Sequence, residues 1–119
     1  MQRNWDVVRQ ILLQLEEIEN TITFLHENQV TGYEPELVAY HMQLLGEANL
    51  IKASCSISTT GCLECAAHRM TWSGHEFLDH IRQDTVWAQV TRIAREKGIA
   101  LSLDVIVHIA KTSIRSMLE

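Results

Sequence analysis

The stretch that most constrains the fold is residues 70–87, MTWSGHEFLDHIRQDTVW. Ser73 and Glu76 have the spacing of a capping box, in which the serine hydroxyl accepts from an early helical N–H and the glutamate reaches back to the serine amide. Apolar residues follow at helical spacing, namely Phe77, Leu78 and Ile81. The flanking Trp72 and Trp87 are large enough to anchor this helix on both sides. The stretch therefore predicts the end of a strand, a capped helix and the start of another helix.

Hydrophobic periodicity before this stretch predicts two helices with an extended piece between them. The predicted elements are a helix from Asn4 or Asp6 to about Glu19, a strand over Thr21–His26 and a helix from Pro35 to about Ala48. Pro35 suits the first position of a helix, because its missing N–H has no helical partner there in any case. Asn49 is a plausible left-handed residue after the last turn. We also expect His41, on the apolar face, to be buried and bonded to a backbone carbonyl.

A β-hairpin and further helices are predicted to follow. The predicted elements are a strand over Leu50–Ile57, a loop over Ser58–Ala67, a returning strand over His68–Trp72, the capped helix, a helix from Asp84 or Thr85 to about Lys97, and a last helix capped by Ser102. Gly98 is placed to end the helix that precedes it. The last helix is apolar over more than one face, so either the domain covers it on several sides or it forms a homodimer.

This order of elements predicts a mainly α protein with a small β-hairpin, which is a winged-helix-like domain followed by C-terminal helices. By length the chain is one domain over residues 1–119, with helix, strand, helix and hairpin in 1–72 and C-terminal helices in 73–119. The hairpin corresponds to the wing, and the helix before it takes the recognition position. A usual winged helix has one more helix ahead of that position. Either residues 21–32 form this helix or the chain does without it.

Several blocks of the chain resemble an uncharacterised family of small proteins found in phages, prophages and their bacterial hosts. The matching blocks are WDVVRQILLQLEE at 5–17, GYEPELVAYHMQLLGEANLI at 32–51, MTWSGHEFLDHIRQDTVW at 70–87 and the weaker EKGIALSLDVIVHIAK at 96–111. The resemblance implies a winged-helix variant of phage or prophage type and brings no catalytic residues. Between Ser54 and Arg69 this chain departs from the pattern, because cysteines stand where the family has an aromatic or proline-rich wing.

Composition narrows the cellular setting and the partners. The net charge of −5 argues against a large non-specific nucleic-acid surface. No run of about eighteen apolar residues and no hydrophobic signal core are present, so we expect a cytoplasmic protein without a membrane partner. The family resemblance implies that this cytoplasm is that of a bacterial host cell. Three cysteines without an export signal favour reduced thiols or metal ligands over a disulfide framework.

The cysteine-rich segment offers a candidate zinc site. Cys55, Cys62, Cys65 and His68 are four suitable ligands, and Cys62 and Cys65 have the C-x-x-C spacing of a zinc knuckle. The alternative is a wing tip with reduced cysteines and no cofactor. His75 and His80 are five residues apart and do not fit the HExxH motif, which needs histidines four apart on one helical face. No catalytic residues are assigned, and we do not expect an enzyme.

The exposed side of the second helix favours a protein partner over DNA. Its candidate partner-binding residues are Glu34, Glu36, Gln43 and Glu47, and no Lys or Arg occurs between Arg9 and Lys52. Major-groove reading helices carry Arg, Lys, Asn or Gln at this point, whereas carboxylates are repelled by phosphates. The prediction is a protein-interaction protein acting on a bacterial host protein, for example an inhibitor of host defence or transcription. The alternative is a DNA-binding regulator that uses Lys52, Arg69, Arg92 and Arg95.

Overall fold

The computed structural model describes residues 1–118 of the chain. These residues form five α-helices and a three-stranded antiparallel sheet, which confirms a mainly helical protein with little β-structure. In chain order the elements are α1 (Trp5–Glu17), β1 (Leu25–His26), a 3-10 helix (Glu27–Gln29), α2 (Pro35–Glu47), β2 (Ile51–Ile57), β3 (Leu63–Met70), α3 (Trp72–Ile81), α4 (Asp84–Lys97) and α5 (Leu103–Leu118). Among the described helices, none has both the length and the apolar character needed to span a bilayer.

The chain divides into two compact units, one from Met1 to His75 and one that begins at Glu76. The predicted division fell three residues earlier, after residue 72. A single domain over residues 1–119 stays a prediction.

In the first unit, α1 and α2 pack on a sheet with strand order β1-β3-β2. Asn4 caps α1, because its Oδ1 accepts from the N–H groups of Asp6 and Val7 at 2.9 and 3.4 Å. The core residues of this unit include Val7, Ile11, Leu12, Val38, Met42, Ile51 and Ala67, all almost fully buried. One face of the sheet is therefore covered by helices.

The first strand is shorter than the sequence indicates. Only Leu25 and His26 pair with β3, although Thr21–His26 is rich in β-branched and aromatic residues. Asn20 explains the difference, because its Oδ1 accepts from the N–H groups of Ile22 and Thr23 at 3.0 and 2.8 Å. Such a local turn removes those N–H groups from any ladder.

The returning strand begins five residues earlier than predicted. β3 covers Leu63–Met70, so the hairpin tip shrinks to the five residues from Ser58 to Cys62. A β-bulge at the step from Lys52 to Ala53 leaves His68 with no residue directly opposite it on β2. The alternation of side chains along β3 shifts by one residue there, so Met70 is buried and Arg69 is exposed. The bulge breaks the alternation that marks a strand in sequence, which is why the segment resembled a loop.

The helix in the 70–87 stretch is capped by Thr71, so the predicted capping box of Ser73 with Glu76 is wrong. Thr71 Oγ1 accepts from the Gly74 N–H at 3.1 Å, and its hydroxyl donates to the Asn49 carbonyl at 2.6 Å. Ser73 therefore lies inside the first turn of α3. Trp72 is 80% exposed, whereas Trp87 is buried as expected.

In the second unit, α4 packs against α5. Helix α4 spans Asp84–Lys97 and ends at Gly98, which has the left-handed φ of +64° that a glycine stop provides. Ser102 Oγ accepts from the Val105 N–H at 3.2 Å and so caps α5. The sequence predicted both of these helix ends correctly.

Candidate functional site

Three of the four candidate partner-binding residues share one exposed side of α2, and the fourth precedes the helix. Glu36, Gln43 and Glu47 are seven and four residues apart, which places them on one helical face, and all three are exposed. Glu34 is also exposed and precedes Pro35 as the N-cap. We call these four residues the acidic stripe. The opposite face of α2 packs inward through Val38, Ala39, His41, Met42 and Leu45.

His41 helps to fix the rotation of α2. Its Nε2 lies 2.7 Å from the Asn4 N–H, so Nε2 is the acceptor, and Nδ1 must carry the proton that it donates to the Leu37 carbonyl at 2.8 Å. The ring is fully buried. The prediction of a buried histidine bonded to a backbone carbonyl is confirmed. The bond from the Asn4 N–H to His41 Nε2 joins α2 to the capping residue of α1 and so helps to hold the acidic stripe outward.

The net charge of the protein resides in the first unit. Residues 1–75 contain nine Asp or Glu and four Lys or Arg, which gives −5, whereas residues 76–119 contain six of each. Helix α2 contains no Lys or Arg to offset its carboxylates. The acidic stripe therefore lies in the acidic part of the chain.

A groove of about 400 Å³ lies between the second half of α2 and β2. Its apolar lining is Met42, Gly46 and Ile51, and its polar lining is Gln43, Glu47 and Lys52, with Ala53 and Cys55 completing it. Gly46 borders the open space of the groove, because a Cβ placed there would meet no atom within 4 Å. The groove shares Gln43 and Glu47 with the acidic stripe. The sequence did not reveal it, since it exists only where helix and strand meet, although a glycine within a helical pattern was a usable signal.

The four predicted zinc ligands do not come together. Cys55 and Cys65 are paired in register on β2 and β3 with a Cα–Cα distance of 4.2 Å, and they form a disulfide. The expectation of reduced thiols is wrong for this pair, because Cys65 lies on a strand opposite Cys55 and not in the loop that the sequence predicts over Ser58–Ala67. A disulfide supplies no thiolate ligand. Cys62 is an exposed free thiol at the hairpin tip.

His68, the fourth predicted ligand, contacts other side chains. Its Nε2 is 3.0 Å from Ser54 Oγ, and its ring stacks on Phe24 with 4.4 Å between centroids. Within residues 1–118, no group of three or more His, Cys, Asp or Glu side chains is arranged to hold a metal ion. A zinc site made from these four residues would therefore need the disulfide reduced.

The cationic residues of the DNA-binding alternative fall into two pairs, one in each unit. Lys52 and Arg69 are directly opposite each other on β2 and β3, and both are exposed. Arg92 and Arg95 are exposed on α4, where Arg92 Nη1 lies 3.2 Å from Glu96 Oε2. The hairpin tip carries no Lys or Arg. The tip that would be the wing therefore offers no cation to a phosphate backbone.

The last helix keeps part of its apolar arc exposed. Ile106, Ile109 and Ala110 are buried, whereas Met117 is 50% and Leu118 83% exposed. Beside them, within the second unit, a groove of about 490 Å³ has Val86 and Ile114 in its lining. Dimerisation through this helix stays a prediction.

Comparison with known proteins identifies relatives of undescribed activity. A model of the family described as "Hypothetical protein (DUF2513)" matches residues 2–100. An uncharacterized protein of Haemophilus influenzae is 42% identical over 118 residues, which cover 99% of this chain and 99% of that protein. No solved structure matches the chain. The family match includes the acidic stripe, the groove and the hairpin, and the similarity to the Haemophilus protein extends through α5.

Proposed function

The chain belongs to the DUF2513 family of hypothetical proteins, and we propose that it is a non-enzymatic interaction protein that binds a protein partner through the acidic stripe. We propose further that its first unit is a variant of the winged helix. The order of α1, β1, the 3-10 helix, α2 and the hairpin supports this, as does the strand order β1-β3-β2. The 3-10 helix over Glu27–Gln29 then stands where a usual winged helix has its middle helix.

The observation that carries the proposal is the charge of the exposed side of α2. In a DNA-binding winged helix this helix enters the major groove, where phosphates line both sides. Here the same position exposes Glu36 and Glu47 without a Lys or Arg on the helix. Unpaired carboxylates disfavour a phosphate-lined groove and favour a basic protein surface.

For the biological setting we propose the cytoplasm of a bacterial host and a gene of phage or prophage type. The Haemophilus relative is consistent with a bacterial setting. An acidic surface of this kind suits the nucleic-acid groove of a host defence or transcription protein, because such grooves are basic. Occupying that groove would inhibit the host protein.

Charge reversal on the stripe tests the proposal. We place a photo-activatable benzoylphenylalanine at Gln43 and irradiate bacterial cells that produce the protein. We expect a crosslinked adduct whose yield falls about tenfold in a Glu36→Lys/Glu47→Lys variant, because the partner's cations then meet like charges. Adduct formation is measured by immunoblotting and the partner is identified by mass spectrometry.

The matched control is Glu17→Lys/Glu19→Lys, which changes the net charge equally at exposed positions at the end of α1. This variant should keep the adduct at the yield of the parent protein. Equal yields from both variants, or no adduct at Gln43 in any cell tested, would contradict the proposal.

The alternative function, a DNA-binding regulator, is favoured by one observation. Lys52 and Arg69 are cross-strand neighbours of like charge, which is unfavourable without an anion between them. If this alternative holds, duplex DNA binds more tightly as salt is lowered, and Arg92→Ala/Arg95→Ala removes the binding. We expect no binding to a mixed-sequence duplex at low salt in a fluorescence anisotropy titration. Binding with a steep salt dependence would replace the protein-interaction proposal.

A further inference from the structure

We propose that the outer edge of β2 and the adjoining groove bind an extended basic peptide, which adds to the sheet as a fourth strand. The inference rests on the proposed function, because it names the form of the protein segment that would contact the acidic stripe. Addition of a strand to an exposed sheet edge is a recurring mode of peptide recognition, in which main-chain bonds give affinity and pockets for alternate side chains give specificity.

The strand register shows which backbone groups of β2 are free for such a partner. Cys55 and Cys65 are 4.2 Å apart at Cα, the short spacing of a non-hydrogen-bonded antiparallel pair. The N–H and C=O of Cys55 therefore point away from β3, and so do those of Ala53 and Ile57. An independent contact agrees, since the Cys65 N–H points away from β2 and donates to Glu27 Oε2 at 3.2 Å.

β2 is also exposed along most of its length. It is the last strand of the sheet, and from Lys52 to Ile57 no side chain is buried. Ile57 is 66% exposed. Edge strands in monomeric proteins are protected by charges, prolines, bulges or covering elements, and here only Lys52 and its neighbouring bulge provide such protection. The disulfide fixes β2 to β3 at its centre, so the edge is held ready for pairing.

The groove gives this edge a place for side chains. It adjoins the β2 residues Ile51, Ala53 and Cys55, whose side chains point to the α2 side of the sheet. An added strand would direct every second side chain toward this groove, because strand side chains alternate between faces. Met42 and Ile51 lie beneath the groove and are almost fully buried, so the apolar surface within reach of a partner comes from Gly46, Ala53 and Cys55. The missing side chain of Gly46 leaves open space beside it. An apolar side chain therefore suits this position.

Charge identifies the peptide as basic and argues against a second copy of this chain. Glu47 and Gln43 line the α2 side of the groove, whereas Lys52 on the β2 side is its one cation, and residues 1–75 as a whole carry a net charge of −5. Two copies that paired through β2 would bring two such units together, and their repulsion opposes the pairing. A peptide in which Lys or Arg alternates with apolar residues matches the edge, the groove and the charge together.

The test uses a phage-displayed library of random dodecapeptides, panned against the immobilised full chain with its disulfide intact. We expect enrichment of sequences that alternate apolar residues with Lys or Arg. Synthetic versions should bind in a fluorescence polarisation titration, with affinity reduced about tenfold or more in Gly46→Leu and in Ile57→Pro. Gly46→Leu fills the groove, and Ile57→Pro removes an outward N–H without removing a bond to β3. Ser56→Ala, an exposed change on the same strand, is the control that should bind normally.

The outcomes separate this inference from the proposed function. No enrichment, enrichment of acidic or patternless peptides, or equal binding by Gly46→Leu and Ile57→Pro would overturn the edge-strand site. If the Gln43 adduct still depends on Glu36 and Glu47 in that case, the protein-interaction proposal stands and only the inference fails. Circular dichroism melting curves of both variants are recorded first, and Gly46→Leu is expected to remain folded, since its Cβ would meet no atom within 4 Å.

Discussion

Gly74→Ala is expected to destabilise the first unit by about 3 kcal/mol or more, an effect at the upper end of single substitutions. A Cβ at this position would lie 2.0 Å from the Leu50 carbonyl oxygen and 3.1 Å from its carbonyl carbon. Both atoms belong to the backbone, so no side-chain rotation relieves the overlap. The melting temperature should fall by roughly 10 °C or more, as measured by circular dichroism.

Leu50 has little freedom to move aside. Its carbonyl accepts from the Thr71 N–H at 2.9 Å, and its own N–H donates to the Leu45 carbonyl at 3.0 Å. Thr71 in turn caps α3 through the Gly74 N–H. A shift of the Leu50 carbonyl would therefore disturb the end of α2, the start of the hairpin and the cap of α3 together.

The matched control is the same substitution at Gly46. This glycine also lies inside a helix, but a Cβ there meets nothing within 4 Å. Gly46→Ala should therefore stabilise the protein by about 0.5–1 kcal/mol, because alanine loses less backbone entropy than glycine in a helix. Effects of the same sign and size at the two glycines would contradict the close approach of Gly74 to Leu50.

His41→Phe is expected to cost about 2–3 kcal/mol of unfolding free energy, since the substitution keeps a buried ring but removes both of its nitrogens. The Asn4 N–H then loses the acceptor that Nε2 provides at 2.7 Å. The cap of α1 depends on the same asparagine. Urea denaturation should show the lower stability, and hydrogen exchange should show weaker protection of the first-turn amides of α1.

Two further variants separate the lost hydrogen bonds from general effects. His41→Gln retains an amide that can accept from Asn4, so it should recover part of the stability. His108→Phe, at an exposed position on α5, should change stability by less than about 0.5 kcal/mol. If His41→Phe is as stable as the parent, His41 does not hold the acidic stripe in place.

The binding variants can be interpreted only if they keep the fold whose stability the His41 and Gly74 variants test. His41 and the α1 cap hold α2 with its carboxylates outward, and Gly74 holds the junction after the hairpin. Loss of partner binding in Glu36→Lys/Glu47→Lys is informative only if its melting curve matches that of Glu17→Lys/Glu19→Lys. All four positions are exposed, so we expect the two curves to agree.

Local chemistry by itself determined most of the helices. Pro35, Asn49, Gly98 and Ser102 mark helix ends through their own backbone preferences or side-chain oxygens, and the structure uses each of them as the sequence indicates. The outward carboxylates of α2 and the buried His41 also followed from helical periodicity. These features need only contacts between residues a few positions apart.

The tertiary structure alone decided the features that depend on strand pairing. Register places Cys55 opposite Cys65, a bulge at His68 turns Met70 inward, and the fixed position of Leu50 gives the α3 cap to Thr71 instead of Ser73. The groove beside β2 likewise exists only where helix and strand meet. Contacts between distant residues leave no periodic signal in sequence, because any of several registers would satisfy the same local preferences and only packing selects one.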